Sequence, residues 1–287
     1  MHIEFNAQGS AMTKLIDMWF PSRLDPEHCP LDFFIAKYVA QIDRSKINPP
    51  NAKMRAGSES HRAFQLWLGG TPLIEATETC KHELTKFNPP NAKDHEQHKI
   101  CHKYFDAVVN NFVNAAKDYH IKADNIEQLV QTDAKGIELN IGGYVDVTEF
   151  DFINEAKSKW PSPFLKADTS YSERTQSIPK KPTAANIRQA AIYSRASNKA
   201  VRIIYANHKG YQVLDKDNCD YLHPEALNAA FETMRMSARA RQNLLKISDD
   251  PEIMARYVIP NLSHYTWNNV DDETIKQVKN IWGFIDG

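Results

Sequence analysis

Leu129–Ser158 reads LVQTDAKGIELNIGGYVDVTEFDFINEAKS, a stretch rich in β-branched and aromatic residues. It is interrupted at Lys135-Gly136 and again at Glu149–Asp151, which predicts a three-stranded β-meander. Side chains alternate along a strand, so on Phe152–Ser158 the side chains of Glu155 and Lys157 point the same way, with Ile153 behind them. Asp146 lies on the preceding strand, nine residues before Glu155 and across a tight turn. A hairpin sets the two carboxylates side by side.

That is an odd choice for a buried strand, because burying a charge costs several kcal/mol unless it is paired or metal-bound. Two carboxylates sharing a site repel each other unless a cation lies between them. Hard oxygen ligands suit Mg²⁺ or Mn²⁺. A lysine beside such a cation can orient or deprotonate a water, which is the equipment for metal-assisted phosphodiester hydrolysis. The plain alternative is a salt bridge from Lys157 to Glu155 or Asp146 at a sheet edge.

Upstream, Leu31, Phe34, Ile35, Tyr38, Val39 and Ile42 fall on one helical stripe, with Pro30 suited to the first helical position. Residues 59–68 read as a helix stopped by Gly69 and Gly70. Residues 95–119 form a long amphipathic helix. His95, His98 and His102 share one of its faces, as solvated histidines or, less simply, as a metal site. The motif NPPNAK occurs at Asn48–Lys53 and again at Asn88–Lys93, marking two similar loop-to-helix starts.

Downstream, residues 158–182 are polar, carry four prolines and have no period, so a long loop is expected there. Thr183 caps a helix over 184–197. A strand follows over 199–207, with a hairpin through Lys209-Gly210. Helices are expected over 224–247 and near 272–283.

The chain has 287 residues, enough to bury a sizeable core. Hydrophobic residues at 42% and charged residues at 25% exclude wholesale disorder, collagen-like repeats and a coiled-coil rod. No apolar run of about 18 residues is present to cross a membrane, and the N-terminus lacks a signal-peptide core, so a cytoplasmic setting is expected. Residues 1–12 read as a tag or a disordered N-terminus. Cys29, Cys80, Cys101 and Cys219 are scattered and are expected to be free thiols.

Taken in order, four pieces of the chain resemble the RecB-like exonuclease branch of the PD-(D/E)XK nuclease superfamily, phage-type or stand-alone. They are SRLDPEHCPLDFFIAKYV (22–39), the G-x-x-x-H pattern of Gly57 to His61, the pair GGYVDV and FINEAKSK, and the Q-x-x-x-Y pattern of Gln189 to Tyr193. The resemblance covers about residues 20–207. It implies an α/β fold, a restriction-endonuclease-like core with a central mixed β-sheet flanked by helices. In domain terms it implies a nuclease core over 13–215 and a helical C-terminal extension over 216–287. It also implies that His61, Asp146, Glu155 and the carbonyl of Ala156 hold Mg²⁺ or Mn²⁺. Asp146, Glu155 and Lys157 would be the catalytic set, with Lys157 positioning the attacking water. Gln189 and Tyr193 would buttress the site and contact DNA. Some relatives hold an iron–sulfur cluster; here Cys29 matches its first ligand, but the C-terminal cysteine triplet is missing, so no cluster is expected.

The net charge of −1 speaks at first against a nucleic-acid partner. The charge is unevenly spread, however. Residues 155–209 hold eleven Lys and Arg against three Asp and Glu, or +8, which leaves −9 for the rest. Lys159, Lys180, Lys181 and Arg188 are the basic residues expected on DNA, and Trp160, Phe164 and Tyr171 interleave the 158–182 loop, suited to stacking on bases. That loop is expected to close over DNA as a clamp.

The leading expectation is a Mg²⁺-dependent deoxyribonuclease, an exonuclease on linear duplex or single-stranded ends, serving recombination, repair or replication. A recombination or single-strand-binding protein partner and a homo-oligomer are both compatible with it. The competing readings are a structure-specific endonuclease, a non-catalytic DNA-end-binding protein on the same fold, and a structural protein with a coincidental motif.

Overall fold

The computed structural model describes residues 16–47, 49–167, 170–268 and 270–284. The proposed tag at 1–12 lies outside the described residues. The chain divides into two compact units. One comprises Pro50–Val130 and Tyr144–Asn228; the other comprises Met1–Pro49, Gln131–Gly143 and Ala229–Gly287. Among the described residues no helix is long and apolar enough to cross a membrane. All four cysteines are buried and free of disulfides.

Five strands form the main sheet in the order β1-β2-β3-β6-β7. They are β1 (Asn125–Thr132), β2 (Ile141–Thr148), β3 (Phe152–Ser158), β6 (Ala200–Asn207) and β7 (Gly210–Leu214). β2 and β3 are antiparallel, with Val147 opposite Asn154. β3 and β6 run parallel, and β6 and β7 close as the expected hairpin. The fold is therefore α/β with a mixed sheet flanked by helices, as expected. The three-stranded meander is present, and β3 lies in the middle of the sheet. The edge position that a plain salt bridge would have used is not where Glu155 and Lys157 stand.

Helices α1 (Ala52–Leu68), α2 (Leu73–Thr85) and α3 (Ala92–Asp118) pack with the sheet. Their contact is an apolar core that includes Ala63, Phe64, Phe105, Val109, Phe112, Val147, Ala156 and Ile204. α1 starts seven residues before the sequence reading placed it, because Asn51 caps it by accepting the Met54 amide at 3.0 Å. α2 was not foreseen. Helix α4 (Ala184–Ser197) connects towards β6, capped by Thr183 as expected and ended by Asn198 in the left-handed conformation at φ 55°.

The 158–182 stretch is not one long loop. Within it lies a separate two-stranded sheet, β4 (Ser162–Leu165) paired with β5 (Tyr171–Arg174). Pro163 hid this, since proline is rare in strands other than at edges, and a two-stranded ribbon is all edge. Trp160 also departs from expectation. It is buried, with its ring stacked on Phe105 at 6.2 Å and its indole N–H donated to Ser158 Oγ at 3.0 Å, so it is a core residue and not a base-stacking one. Phe164 and Tyr171 are exposed on the ribbon.

In the other unit, Leu31–Phe34 is α-helical and continues as a wider π-turn over Ile35–Val39, with Pro30 just before the first helical residue. Phe34 packs against Trp19, and the guanidinium of Arg241, on α5 (Pro224–Ile247), lies over the Phe34 ring at 5.4 Å. Arg241 also donates to the carbonyls of Ser237 and Cys29. Asp32 accepts the Asn261 amide at 2.8 Å and faces the Trp267 indole N–H. The last described helix, α6, spans Asp272–Ile281.

Candidate active site

The register of β2 on β3, carried one step past Val147 and Asn154, sets Asp146 opposite Glu155. There the strands part. Asp146 Oδ2 accepts the Ala156 amide at 2.7 Å, in place of a backbone ladder bond. The N–H and C=O of one strand residue point to the same side, so the Ala156 carbonyl also faces β2. Glu155 and Lys157 project from β3 and pair at 2.7 Å.

Two helices complete the cluster. α4 supplies Gln189 and Tyr193, four residues apart and so on one face. Gln189 Oε1 accepts from Lys157 Nζ at 2.9 Å, and its Nε2 donates to Glu155 Oε1 at 2.9 Å and to the Tyr193 hydroxyl at 2.8 Å. Tyr193 is buried and donates in turn to the Tyr144 carbonyl at 2.8 Å. α1 supplies His61, whose Nδ1 stands 3.9 Å from Asp146 Oδ2 and whose ring meets Phe112 edge-on. Gly57, one turn before His61, lies against Ser158: a Cβ there would come within 3.3 Å of Ser158 Oγ, which favours glycine where α1 approaches the strand.

The electrostatics follow from enclosure. Burial, and then the neighbouring Asp146 charge, push Glu155 up to about 7 despite Lys157. Burial also raises Asp146; Lys157 and the Ala156 amide oppose it, and Glu127 on β1 adds to it. Burial and the Lys157 charge hold His61 down at about 4, so its imidazole is neutral at physiological pH. For Lys157 burial works against the charge, but the two carboxylates outweigh it and keep the ammonium above its ordinary range.

Two buried polar atoms, Glu155 Oε2 and His61 Nε2, have no hydrogen-bond partner among the described residues. Unpaired buried polar atoms are costly and call for an explanation. Two carboxylates, an imidazole and a facing carbonyl are a donor set that could hold a hard divalent cation. Its members are not drawn tightly together. Among the described residues the group with all donor atoms within 4.8 Å is Asp25, Glu27 and His28. There Asp25 Oδ1 is already taken by the Glu27 and His28 amides. At the β3 cluster, Glu155 Oε1 accepts from both Lys157 and Gln189, which leaves Oε2 as its unengaged oxygen.

The structure thus brings together His61, Asp146, Glu155, Ala156, Lys157, Gln189 and Tyr193. Lys159 follows β3, half-buried, with its ammonium over the Tyr205 ring at 5.6 Å. Arg188 is half-buried beside Gln189 on α4. Lys180 and Lys181 are exposed before α4, and Lys181 lies over the Tyr221 ring at 5.9 Å. The sequence reading missed the Tyr144 carbonyl and the Glu127 carboxylate. A backbone acceptor leaves no mark in a sequence, but Glu127 holds a left-handed φ of 50°, unusual within a strand. Of the three histidines on α3, His98 meets the Leu84 carbonyl at 2.8 Å.

No known protein family matches the sequence as a whole, and no curated protein matches it. Among solved structures, the chain is similar to a protein of Eubacterium rectale named "Putative exonuclease", at a TM-score of 0.52 and 11% identity. The match covers 86% of this chain and 87% of that one. A second structure, SSO0001, matches over 72% of this chain and 85% of its own at 10% identity, with a TM-score of 0.28, too low to inform the fold. At such identity the Eubacterium rectale protein and this chain share a fold, an α/β sheet flanked by helices.

Proposed function

We propose that this protein is a metal-dependent deoxyribonuclease, an exonuclease that hydrolyses phosphodiester bonds at DNA ends. The observation that carries the reading is the pairing of Asp146 and Glu155 in an enclosed cluster with Lys157, where Glu155 Oε2 and His61 Nε2 are left without partners. Nothing in the stability of the sheet calls for that arrangement. The sharing of a fold with a protein named as an exonuclease supports it, as does the order of the four sequence motifs.

In this reading Asp146, Glu155, His61 and the Ala156 carbonyl hold Mg²⁺ or Mn²⁺. A divalent cation there supplies positive charge to the phosphoryl oxygens and acidifies water. Lys157 is positively charged at working pH and orients the attacking water, then stabilises the negative charge that develops on the phosphate. Gln189 sets the direction of the Lys157 ammonium and of Glu155 through its amide, and Tyr193 ties Gln189 to the β2 backbone. Arg188, Lys159, Lys180 and Lys181 neutralise the DNA backbone. A host-cell or phage role in recombination, repair or replication fits an end-directed activity.

The test is digestion of end-labelled linear DNA and closed circular DNA with Mg²⁺, Mn²⁺ or EDTA, by wild type and by Lys157→Ala and Asp146→Ala. Expected is loss of linear DNA with either metal, none with EDTA and far slower loss with the variants. Equal degradation by the variants would overturn the site. Cleavage of closed circles would turn the reading to an endonuclease.

A further inference from the structure

The repeated NPPNAK motif has no place in the catalytic cluster. Its structural effect is nonetheless plain. Asn51 and Asn91 cap α1 and α3 through the Met54 and Asp94 amides, and in both copies the alanine is the first helical residue and the lysine the second. The two helix starts are joined, since the Asp94 carboxylate accepts the Ala52 amide at 3.1 Å through either oxygen. Lys53 and Lys93 therefore leave two neighbouring helix N-termini, where the helix dipole already places about half a positive charge and cations are disfavoured.

The charge of a third amine, Lys159, reaches Lys53. Lys53 Nζ donates to Ser162 Oγ at 2.6 Å, and Ser162 follows Lys159 by three residues at the exit of β3. Lys53 is held below its ordinary range, by burial first and then by the charges of Lys93 and Lys159, with Cys101 acting the other way. Lys159 is likewise lowered by burial and by Lys157. Among the described residues none of Lys53, Lys93 and Lys159 has a carboxylate partner within ion-pair distance, and Asp94 is engaged by Ala52. Two amines placed against helix dipoles, and a third whose charge reaches Lys53, have the single Asp94 carboxylate nearby and no ion pair, which opposes stability. An anion would relieve all three at once.

We propose that Lys53, Lys93 and Lys159 form a phosphate-binding station for the DNA backbone, continuous with Lys157 of the catalytic strand. The identity of the ligand rests on the nuclease reading above. The station is the use to which the two copies of NPPNAK are put: each supplies a capped helix start and one lysine.

The test separates binding from cleavage. Binding of a fluorescein-labelled duplex and of a single strand is measured by anisotropy in EDTA across a salt series. The proteins are wild type, Lys53→Gln, Lys93→Gln, the double variant, Lys53→Arg and the exposed control Lys86→Gln. Each glutamine is expected to lower the slope of log affinity against log salt by about one and to weaken duplex binding in 0.1 M salt about eightfold. Lys53→Arg should keep the wild-type slope and Lys86→Gln should change nothing. An unchanged slope in the double variant, an equal loss in Lys86→Gln, or Lys53→Arg behaving as Lys53→Gln would overturn the station; the last result would mark Lys53 as a tether for Ser162. If the slopes change as expected but wild type cuts no DNA with Mg²⁺ or Mn²⁺, the nuclease reading fails and the station stands. If wild type cuts and the slopes do not change, the station alone fails. No DNA binding by wild type overturns both.

Discussion

Strand β3 meets buried polar clusters on both of its faces, and the two are built differently. On one, Asn154 is fully buried and faces Arg202 of β6, its partner in the register. Arg202 donates to Asn154 Oδ1 at 3.1 Å and to Glu149 Oε2 at 3.0 Å, and its guanidinium covers the Phe152 ring at 4.0 Å. Glu149 is held further by the Asn154 amide and the Lys122 N–H. On the other face, one residue along, Glu155 shares its surroundings with Asp146, keeps one oxygen unpaired and is pushed up to about 7. Both clusters are polar and enclosed by the same sheet. The first matches its guanidinium to a carboxylate and fastens strands together, although Arg202 Nε has no hydrogen-bond partner among the described residues. The second sets two carboxylates against one lysine, a donor set that could hold a cation. Balance of charge, rather than burial, separates the two clusters.

This contrast between the faces is open to attack from either side. The largest effect is expected at the balanced face. Arg202→Met leaves Glu149 without its guanidinium and should cost about 3–5 kcal/mol in urea unfolding. DNA cleavage per folded molecule should be unchanged; its loss well below the melting temperature would show that the two faces are not separable. At the unbalanced face, Lys157→Ala should lower the cleavage rate by about 10²–10³-fold, the usual cost of one charge-stabilising donor, with the fold intact by circular dichroism.

Glu155→Gln probes the imbalance through pH. The folded pKa of Glu155 is raised, so in the window between its ordinary 4.5 and about 7 the folded protein holds a proton that the unfolded chain has released. Stability from this group is therefore complete below about 4.5 and is lost as pH rises through 7. Wild type and Glu155→Gln should be about equally stable at pH 4.5. The variant should lead by roughly 3 kcal/mol at pH 8, since every tenfold difference in proton affinity between the folded and unfolded chain is worth about 1.4 kcal/mol. Adding Mg²⁺ at pH 8 should raise the melting temperature of wild type but not of the variant, because a ligand stabilises only the state that binds it. A flat difference across this pH range would mean that Glu155 is not crowded as described.

Tyr193→Phe is the smallest step. It removes one hydroxyl that joins Gln189 to the Tyr144 carbonyl and should cost about 1 kcal/mol in thermal unfolding. Cleavage should fall as well, though by less than in Lys157→Ala, because Gln189 loses its anchor but keeps its bonds to Lys157 and Glu155.

Much of this was legible in the chain. Period-two alternation placed β2 and β3, and counting along the two strands put Asp146 beside Glu155 with Lys157 on the same side. The i, i+4 spacing of Gln189 and Tyr193 on a Thr183-capped helix brought both to one face. These are local regularities, set by backbone geometry and by caps within a few residues. Other features were out of reach. Trp160 reads as a loop aromatic and is core, because the burial of an indole depends on whether a partner such as Phe105 arrives from far along the chain. The β4–β5 ribbon was masked by Pro163, and α2 was passed over.

The two copies of NPPNAK make the same division plain. The order of amino acids was enough to make asparagine the cap and lysine its follower, twice. Bringing both helix starts together, with the Lys159 charge reaching Lys53, needed the folded chain. Likewise, which residues share a face of β3 follows from the local order alone, since alternation is a property of a single strand. That Arg202 meets Asn154 and Glu149 at matched charge, while Glu155 is crowded by Asp146, depends on which distant residues the fold brought alongside.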